Sequence, residues 1–336
     1  MLRILHGTSY DFIKYWRHAA IATIAFIVIG LAALGIRGAR YSIEFTGGTL
    51  MQVHFTKPPQ ADAIRQTVDR AGFSGSTIQQ FGTLNDYTIS AQPKGLASGA
   101  TSDSAASEVN DSTARQIETA LHAQFGDTSQ VKVLRSEYVG PRVGAELRRN
   151  ALVAVLISFL VTLIYLAIRF EWRFGVAAVV ATAHDIFTTL AFLAMMRLEI
   201  SLTVVAAILT VIGYSLNDTI IIFDRVRENL KKQRKESLYD VMNRSINETL
   251  PRSILTHVTT LIATLALLFF AGEVIRPFSW IMAFGIFTGT FSSIYVAGAL
   301  LLWIEAKWPR SLEGQGGAGV SARAGAAQAR RREASP

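Results

Sequence analysis

The chain has 336 residues, half of them hydrophobic, with a mean hydropathy of +0.32 and a formal net charge of +8. That balance excludes an ordinary soluble globule and describes an integral membrane protein carrying some soluble mass. There is no cysteine, which excludes thiolate metal sites and thiol redox chemistry. The basic excess comes without a groove-reading motif, so it reads as membrane-flanking charge and not as nucleic-acid binding.

Residues 1–17 form a short basic start, with Arg3, Lys14 and Arg17 against Asp11. Residues 18–36 are apolar and long enough to cross a bilayer at about 1.5 Å per residue. The stretch is too long for the core of a cleaved signal and lacks an Ala-x-Ala-like site, so it reads as an uncleaved first span starting in the cytoplasm. Residues 37–150 are a soluble interlude. Alternation predicts a strand over 49–55, and apolar spacing a helix over 60–71. Two strands are expected over 76–81 and 87–91, turning at Leu84, Asn85 and Asp86. Residues 94–111 are rich in Ser, Ala and Gly and predict a flexible loop. Ile117, Leu121 and Phe125 mark an amphipathic helix over 113–125, and a last strand follows over 130–139. The order strand–helix–strand–strand–helix–strand predicts a small ferredoxin-like α+β domain.

Further apolar spans follow at 151–168, 175–196, 200–223, 253–271 and 278–303. Between the fourth and fifth lies a polar, helical-looking segment, 224–252, with eight basic and five acidic residues. The tail from 305 to 336 is basic and rich in Gly and Ala, and predicts disorder. With six spans, the N-terminus, the turn at 169–174, the 224–252 segment and the tail all fall on one side. Their Lys and Arg assign that side to the cytoplasm, which puts the folded domain outside. One span, a large external domain and five closely spaced spans is half of the plan of export permeases of the resistance–nodulation–division (RND) type. Half a permease calls for a second half on another chain.

The fourth span carries the chemistry. Asp218 stands inside an apolar helix, where a carboxylate costs roughly 2.5–3.5 kcal/mol on insertion scales. Thr210, Tyr214, Asn217 and Asp218 fall at helical spacing and form a polar stripe that must face protein or water. Burial disfavours the charged form of Asp218, and a neighbouring cation would favour it. A carboxylate balanced between those effects can load and unload a proton. The alternative is a structural carboxylate bonded to a neighbouring helix. Arg252 would either snorkel to lipid phosphate or supply that cation. Arg252, Thr256 and Thr259 or Thr260 share a face leading into the fifth span. His184 and Asp185 lie midway along the third span. They point about 100° apart, so Asp185 is the candidate second member of a proton pathway. His184 and His257 lack a metal-binding spacing. Gly285 and Gly289 read as a close helix contact. Gly47 and Gly48 are not followed by Gly-Lys-Ser/Thr, and no Walker motif occurs, so no ATP-driven step is expected within this chain. Tyr41, Phe45, Met51 and Phe55 suit an ordinary core better than a client-binding surface.

Three stretches resemble the SecF family, auxiliary membrane subunits of the bacterial protein translocase. YSIEFTGGTL at 41–50, with Glu44, Phe45, Thr46, Gly47 and Gly48, resembles the DFTGGT signature after the first span. VGPRVGAELRRNA at 139–151, with Gly140, Pro141 and Gly144, resembles the lead into the second. FEWRF, the AHD at 183–185, VIGYSLNDTIIIFDRVREN at 211–229 and the PRS at 251–253 resemble the membrane core in order and spacing. Glu44 departs from the family's usual Asp but keeps the carboxylate, and the 94–111 loop is long for the family. FTGGT alone would also suit the sister subunit SecD.

The resemblance implies a membrane all-α bundle of six helices, half of an RND-like permease, with the α+β domain between helices 1 and 2. It implies that Asp218 is the membrane aspartate linked to proton conduction and Arg252 its partner. It implies pairing with SecD, often with YajC, and association with the SecYEG channel to help move an unfolded polypeptide. Gly140, Pro141 and Gly144 would then act as a hinge between the domain and the second span. No enzymatic activity, cofactor or metal is expected. The alternatives are a proton-driven exporter half for a small molecule or lipid and, from another class, an intramembrane hydrolase using Asp185, His184 and Asp218.

Overall fold

The structure, a computed structural model, describes residues 8–81, 83–92, 103–126, 129–232, 236–272 and 274–308, with the side chains of 103–110 left aside. The loop expected over 94–102 and the tail expected over 309–336 lie outside the described residues. Six helices are long and apolar enough to cross a membrane among the described residues: Ile13–Arg37, Pro141–Arg169, Trp172–Met196, Leu202–Lys232, Leu238–Phe270 and Arg276–Lys307.

We number α1 (Trp16–Arg37), after a 3₁₀ turn at Ile13–Tyr15, and a one-turn α2 (Ile43–Thr46). The folded unit follows as β1 (Gly48–Phe55), α3 (Ala61–Arg70), β2 (Thr77–Gln80), β3 (Asp86–Ala91), α4 (Asp103–Phe125) and β4 (Val131–Val139). Its sheet is antiparallel in the order β2-β3-β1-β4. Met51, Val53 and Phe55 alternate on β1 and are buried against Ile64 and Val68 of α3 and Ile117 and Leu121 of α4. Phe45, Met51 and Phe55 are therefore core residues, while Tyr41 is 40% exposed. Helix α4 begins ten residues before the expected 113, so 103–111 is not a loop. Its first turns lack an apolar period, but helix extends cheaply from the amphipathic half once that half is nucleated.

The membrane helices are α5 (Pro141–Arg169), α6 (Trp172–Met196), α7 (Leu202–Lys232), α8 (Leu238–Phe270), α9 (Arg276–Ser292) and α10 (Gly298–Lys307). A π-helical turn at Ser293–Ala297 joins the last two into one span. Helices α6, α7 and α9 form the inner trio, whereas α1, α5 and α8 expose most of their apolar surface. Small residues allow the close inner packing. A Cβ added to Gly285 would collide with Val211, and one on Gly289 would lie 3.0 Å from the Ser215 Cβ.

The helices run past the expected spans. The polar 224–252 segment is largely helical: α7 continues through Lys232, and α8 begins at Leu238 and passes through Pro251. Each extension buries one face, with Val226 and Asn229 on α7 and Val241, Ser245 and Ile246 on α8. The last span likewise continues to Lys307, so the tail begins after the expected 305.

Candidate functional site

Two carboxylates lie inside the helical bundle. Asp218 is 4% exposed on α7. Its Oδ1 accepts a hydrogen bond from Ser253 Oγ of α8 at 2.5 Å. Its Oδ2 is buried and has no hydrogen-bond partner among the described residues. Arg252, the neighbour of that serine, is exposed and makes no ion pair among the described residues. Adjacent helical residues point about 100° apart, so when Ser253 faces Asp218 its neighbour turns away.

Asp185 on α6 is fully buried. Its Oδ2 accepts from Ser215 of α7 and from Ser292 of α9, the latter at 2.7 Å. Its Oδ1 lies 3.1 Å from the Nδ1 of His184. Three inner helices thus converge on one carboxylate. The next residue, Ser293, opens the π-helical turn and meets Thr219 of α7 at 2.7 Å, so adjacent serines at this junction serve two contacts.

The predicted polar stripe divides. Asp218 is buried and Tyr214 half-buried, while Thr210 and Asn217 are exposed. Tyr214 donates to Thr260 Oγ1 at 3.3 Å, and its ring lies 5.3 Å from that of His257. His257 Nδ1 is 3.0 Å from Thr290 Oγ1 of α9. Ser253, His257, Ser215 and Ser292 complete the site and were not singled out for it from the sequence. The helical spacing of Ser253, His257 and Thr260 is the signal that would have placed them together. Thr210 and Asn217 of α7 and Arg252, Thr256 and Thr259 of α8 are polar and exposed.

The glycine signature lies at the domain-side end of the same helices. Glu44 Oε2 accepts the backbone N–H of Leu202 at 2.6 Å, which caps the first turn of α7. Ser42 N donates to Ile200 O at 3.0 Å, and Ile200 N to Arg40 O at 2.8 Å, fixing this segment to the α6–α7 turn. Gly47 has φ +76°, and a Cβ there would lie 2.9 Å from Pro141 Cα. A Cβ on Gly144 would lie 2.9 Å from Gly47 N and 3.0 Å from Phe45 O. The turn Glu44–Thr46 therefore sits directly on the start of α5, with Thr46 Oγ1 bonded back to Ser42 O at 3.2 Å. Gly48 begins β1, and Gly140 is the extended residue before Pro141 opens α5.

At the opposite end, charged residues bind the helices together. Arg169 of α5 pairs with Asp224 of α7 at 2.5 Å, and Arg225 of α7 with Glu248 of α8 at 2.6 Å. Asn247 of α8 holds the backbone of Tyr10 through both amide atoms, at 3.0 and 2.8 Å. Among the described residues, no group of three or more His, Asp and Glu is placed to hold a metal ion.

This chain matches the family model described as protein export membrane protein SecD/SecF, C-terminal, over residues 118–307, and the SecD/SecF GG motif over 32–59. The protein translocase subunit SecF of Gemmatimonas aurantiaca is 58% identical over 312 residues, covering 92% of this chain and 91% of the relative. That of Desulfurispirillum indicum is 43% identical over 305 residues, covering 90% and 93%. That of Escherichia coli O157:H7 is 38% identical over 313 residues, covering 92% of each. The crystal structure of SecDF, a translocon-associated membrane protein from Thermus thermophilus, superposes with a TM-score of 0.75 at 35% identity. That match covers 91% of this chain but 40% of the SecDF chain, so this chain spans less than half of the solved protein. By these matches and its six apolar helices, the chain is a multi-pass membrane protein that belongs to the SecF family of protein translocase subunits.

Proposed function

We propose that this chain is the SecF half of a proton-motive-force-coupled SecD–SecF pair that assists export of unfolded polypeptide through SecYEG, with YajC as a further associate. The observation that carries the reading is Asp218: a buried carboxylate with one oxygen held by a neutral hydroxyl and the other without a partner. Such a group is poised to change protonation, because neither form is locked by a full set of hydrogen bonds. One charge crossing 100 mV supplies about 2.3 kcal/mol, enough to exchange one or two buried hydrogen bonds per proton.

The exposure of Asn217 and Arg252 beside the buried Asp218 supports a partner membrane half, since polar groups in a span favour a protein or water neighbour. Arg252 then approaches Asp218 in another state of the cycle. Asp185, by contrast, has the hydrogen-bond complement of a structural anchor, and we assign it that role in place of the expected second pathway position. The four-stranded unit is read as ferredoxin-like and periplasmic. Its orientation rests on the basic residues at the far ends of the helices and on the inner membrane of a bacterium as the site of insertion. Gly140 and Pro141 mark a turn, but Gly144 is packed against Phe45 and Gly47, so the junction transmits movement between α7 and the domain more than it bends.

The reading assigns no enzymatic step and no cofactor. An RND-like exporter half would use the same membrane geometry; the likeness of the whole chain to SecF subunits favours the translocase. The test is Asp218→Asn in vesicles containing the SecD partner and SecYEG. Gradient-stimulated export of a precursor should be lost while insertion and SecD pairing persist. Wild-type stimulation in that variant would refute the reading.

A further inference from the structure

We propose that His257 is the proton-transfer residue on the domain side of Asp218, exchanging protons between water and the unpartnered carboxylate oxygen. The inference rests on the reading of Asp218 as a proton site. Ser253 and His257 are four residues apart on α8, so their side chains stack on one face, with Cβ atoms about 5–6 Å apart. Ser253 touches Asp218. On the facing helix, Tyr214 stands four residues before Asp218, again on the same face, and its ring lies 5.3 Å from the His257 ring. His257 therefore occupies the next rung above the Asp218–Ser253 contact, toward the end of α7 that Glu44 caps.

Thr290 Oγ1 lies 3.0 Å from both Ile286 O and His257 Nδ1, and 3.4 Å from Nε2. The proposed route uses the arrangement in which the hydroxyl donates to Ile286 O and accepts from Nδ1–H. The neutral ring then carries its proton on Nδ1, and Nε2 keeps the lone pair that takes up a proton. In the step proposed, Nε2 binds a proton from domain-side water and the ring becomes imidazolium. It passes a proton, by way of bridging hydroxyls or water, to Oδ2 of Asp218. The products are a neutral carboxyl and a neutral imidazole, and no bond other than N–H and O–H changes. Tyr214 and Thr260, joined at 3.3 Å, supply hydroxyls beside this route. The groups facing His257 are Asp218 and Tyr214 from α7 and Thr290 from α9; along α8 the nearest charged residue is Arg252.

The experiment measures proton flux in vesicles holding the SecD–SecF complex, as a function of pH on the domain side. Wild type should show an inflection within roughly pH 5–8, where imidazole titrates. His257→Gln should lose that inflection and slow the flux about tenfold or more. Added imidazole should restore flux to His257→Gly. Wild-type rate and profile in His257→Gln, with Asp218→Asn silent, would overturn the role of His257 alone. Slowed flux with an unchanged profile and no rescue by imidazole would also overturn it and assign His257 to packing. Wild-type flux in Asp218→Asn would instead remove the parent reading, and this step with it.

Discussion

Asp185 and Asp218 are the same residue type, in the same bundle, at similar burial, and their surroundings differ in one respect. Asp185 has hydroxyls from two other helices and a neighbouring imidazole; Asp218 has one hydroxyl and one unpartnered oxygen. A carboxylate with a complete shell holds helices together, because any movement breaks several bonds at once. A carboxylate with a half-complete shell can exchange its partner. The contrast separates two similarly buried carboxylates by their hydrogen bonds, and the proposed proton site is the one with a bond missing.

The largest effect expected on stability comes from breaking the complete shell. Asp185→Ala removes the acceptor of Ser215 and leaves Ser292 only its bond to Gly289 O, and should cost about 1–3 kcal/mol. It would appear as a lower thermal unfolding midpoint of the purified complex. Asp218→Asn removes less and should cost under about 1 kcal/mol, with a correspondingly smaller drop in the midpoint. Equal losses in the two variants would erase the distinction drawn between them. Gly289→Ala attacks the same cluster indirectly. Its Cβ would lie 3.0 Å from the Ser215 Cβ, forcing α9 from α7 and stretching the Ser292–Asp185 bond. A cost of about 1–3 kcal/mol is expected, with wild-type proton coupling in the molecules that remain folded.

A third carboxylate is the aqueous control. Asp86 lies in the four-stranded domain, where burial raises its pKa but hydrogen bonds from Thr83 and His54 outweigh that and hold it below the usual 3.8. A depressed folded-state value means the stabilisation is present above the unfolded value and lost as pH falls through the lowered one. Acid unfolding of the domain in the full chain should therefore soften slightly below about pH 4 in wild type. Asp86→Asn should flatten that slope, as read by circular dichroism. An unchanged slope would contradict the assignment. This is the smallest effect of the set.

Much of the architecture was legible in the sequence, for reasons that also explain the failures. Span number and strand order follow from period and length, which are local. Asp218 and Asp185 stood out because charge is rare in apolar runs. Their partners did not, because Ser215, Ser253 and Ser292 are unremarkable in composition and become significant through contacts between distant helices. Arg252 drew attention through its charge, yet the side chain that reaches Asp218 belongs to the next residue. The polar ends of α7 and α8 read as a separate segment because their average is hydrophilic, although Val226 and Val241 bury one face of each. The signature at 44–48 was recognised by resemblance, while its physical reasons needed Pro141, Gly144 and Leu202 in three dimensions.

The most direct test asks which carboxylate changes protonation. Infrared difference spectra of the SecD–SecF complex, labelled with ¹³C at aspartate carboxyls, would be recorded as the domain-side pH is lowered. The account predicts a protonated-carboxyl band that persists in Asp185→Asn and disappears in Asp218→Asn. A band that survives in Asp218→Asn and vanishes in Asp185→Asn would contradict it.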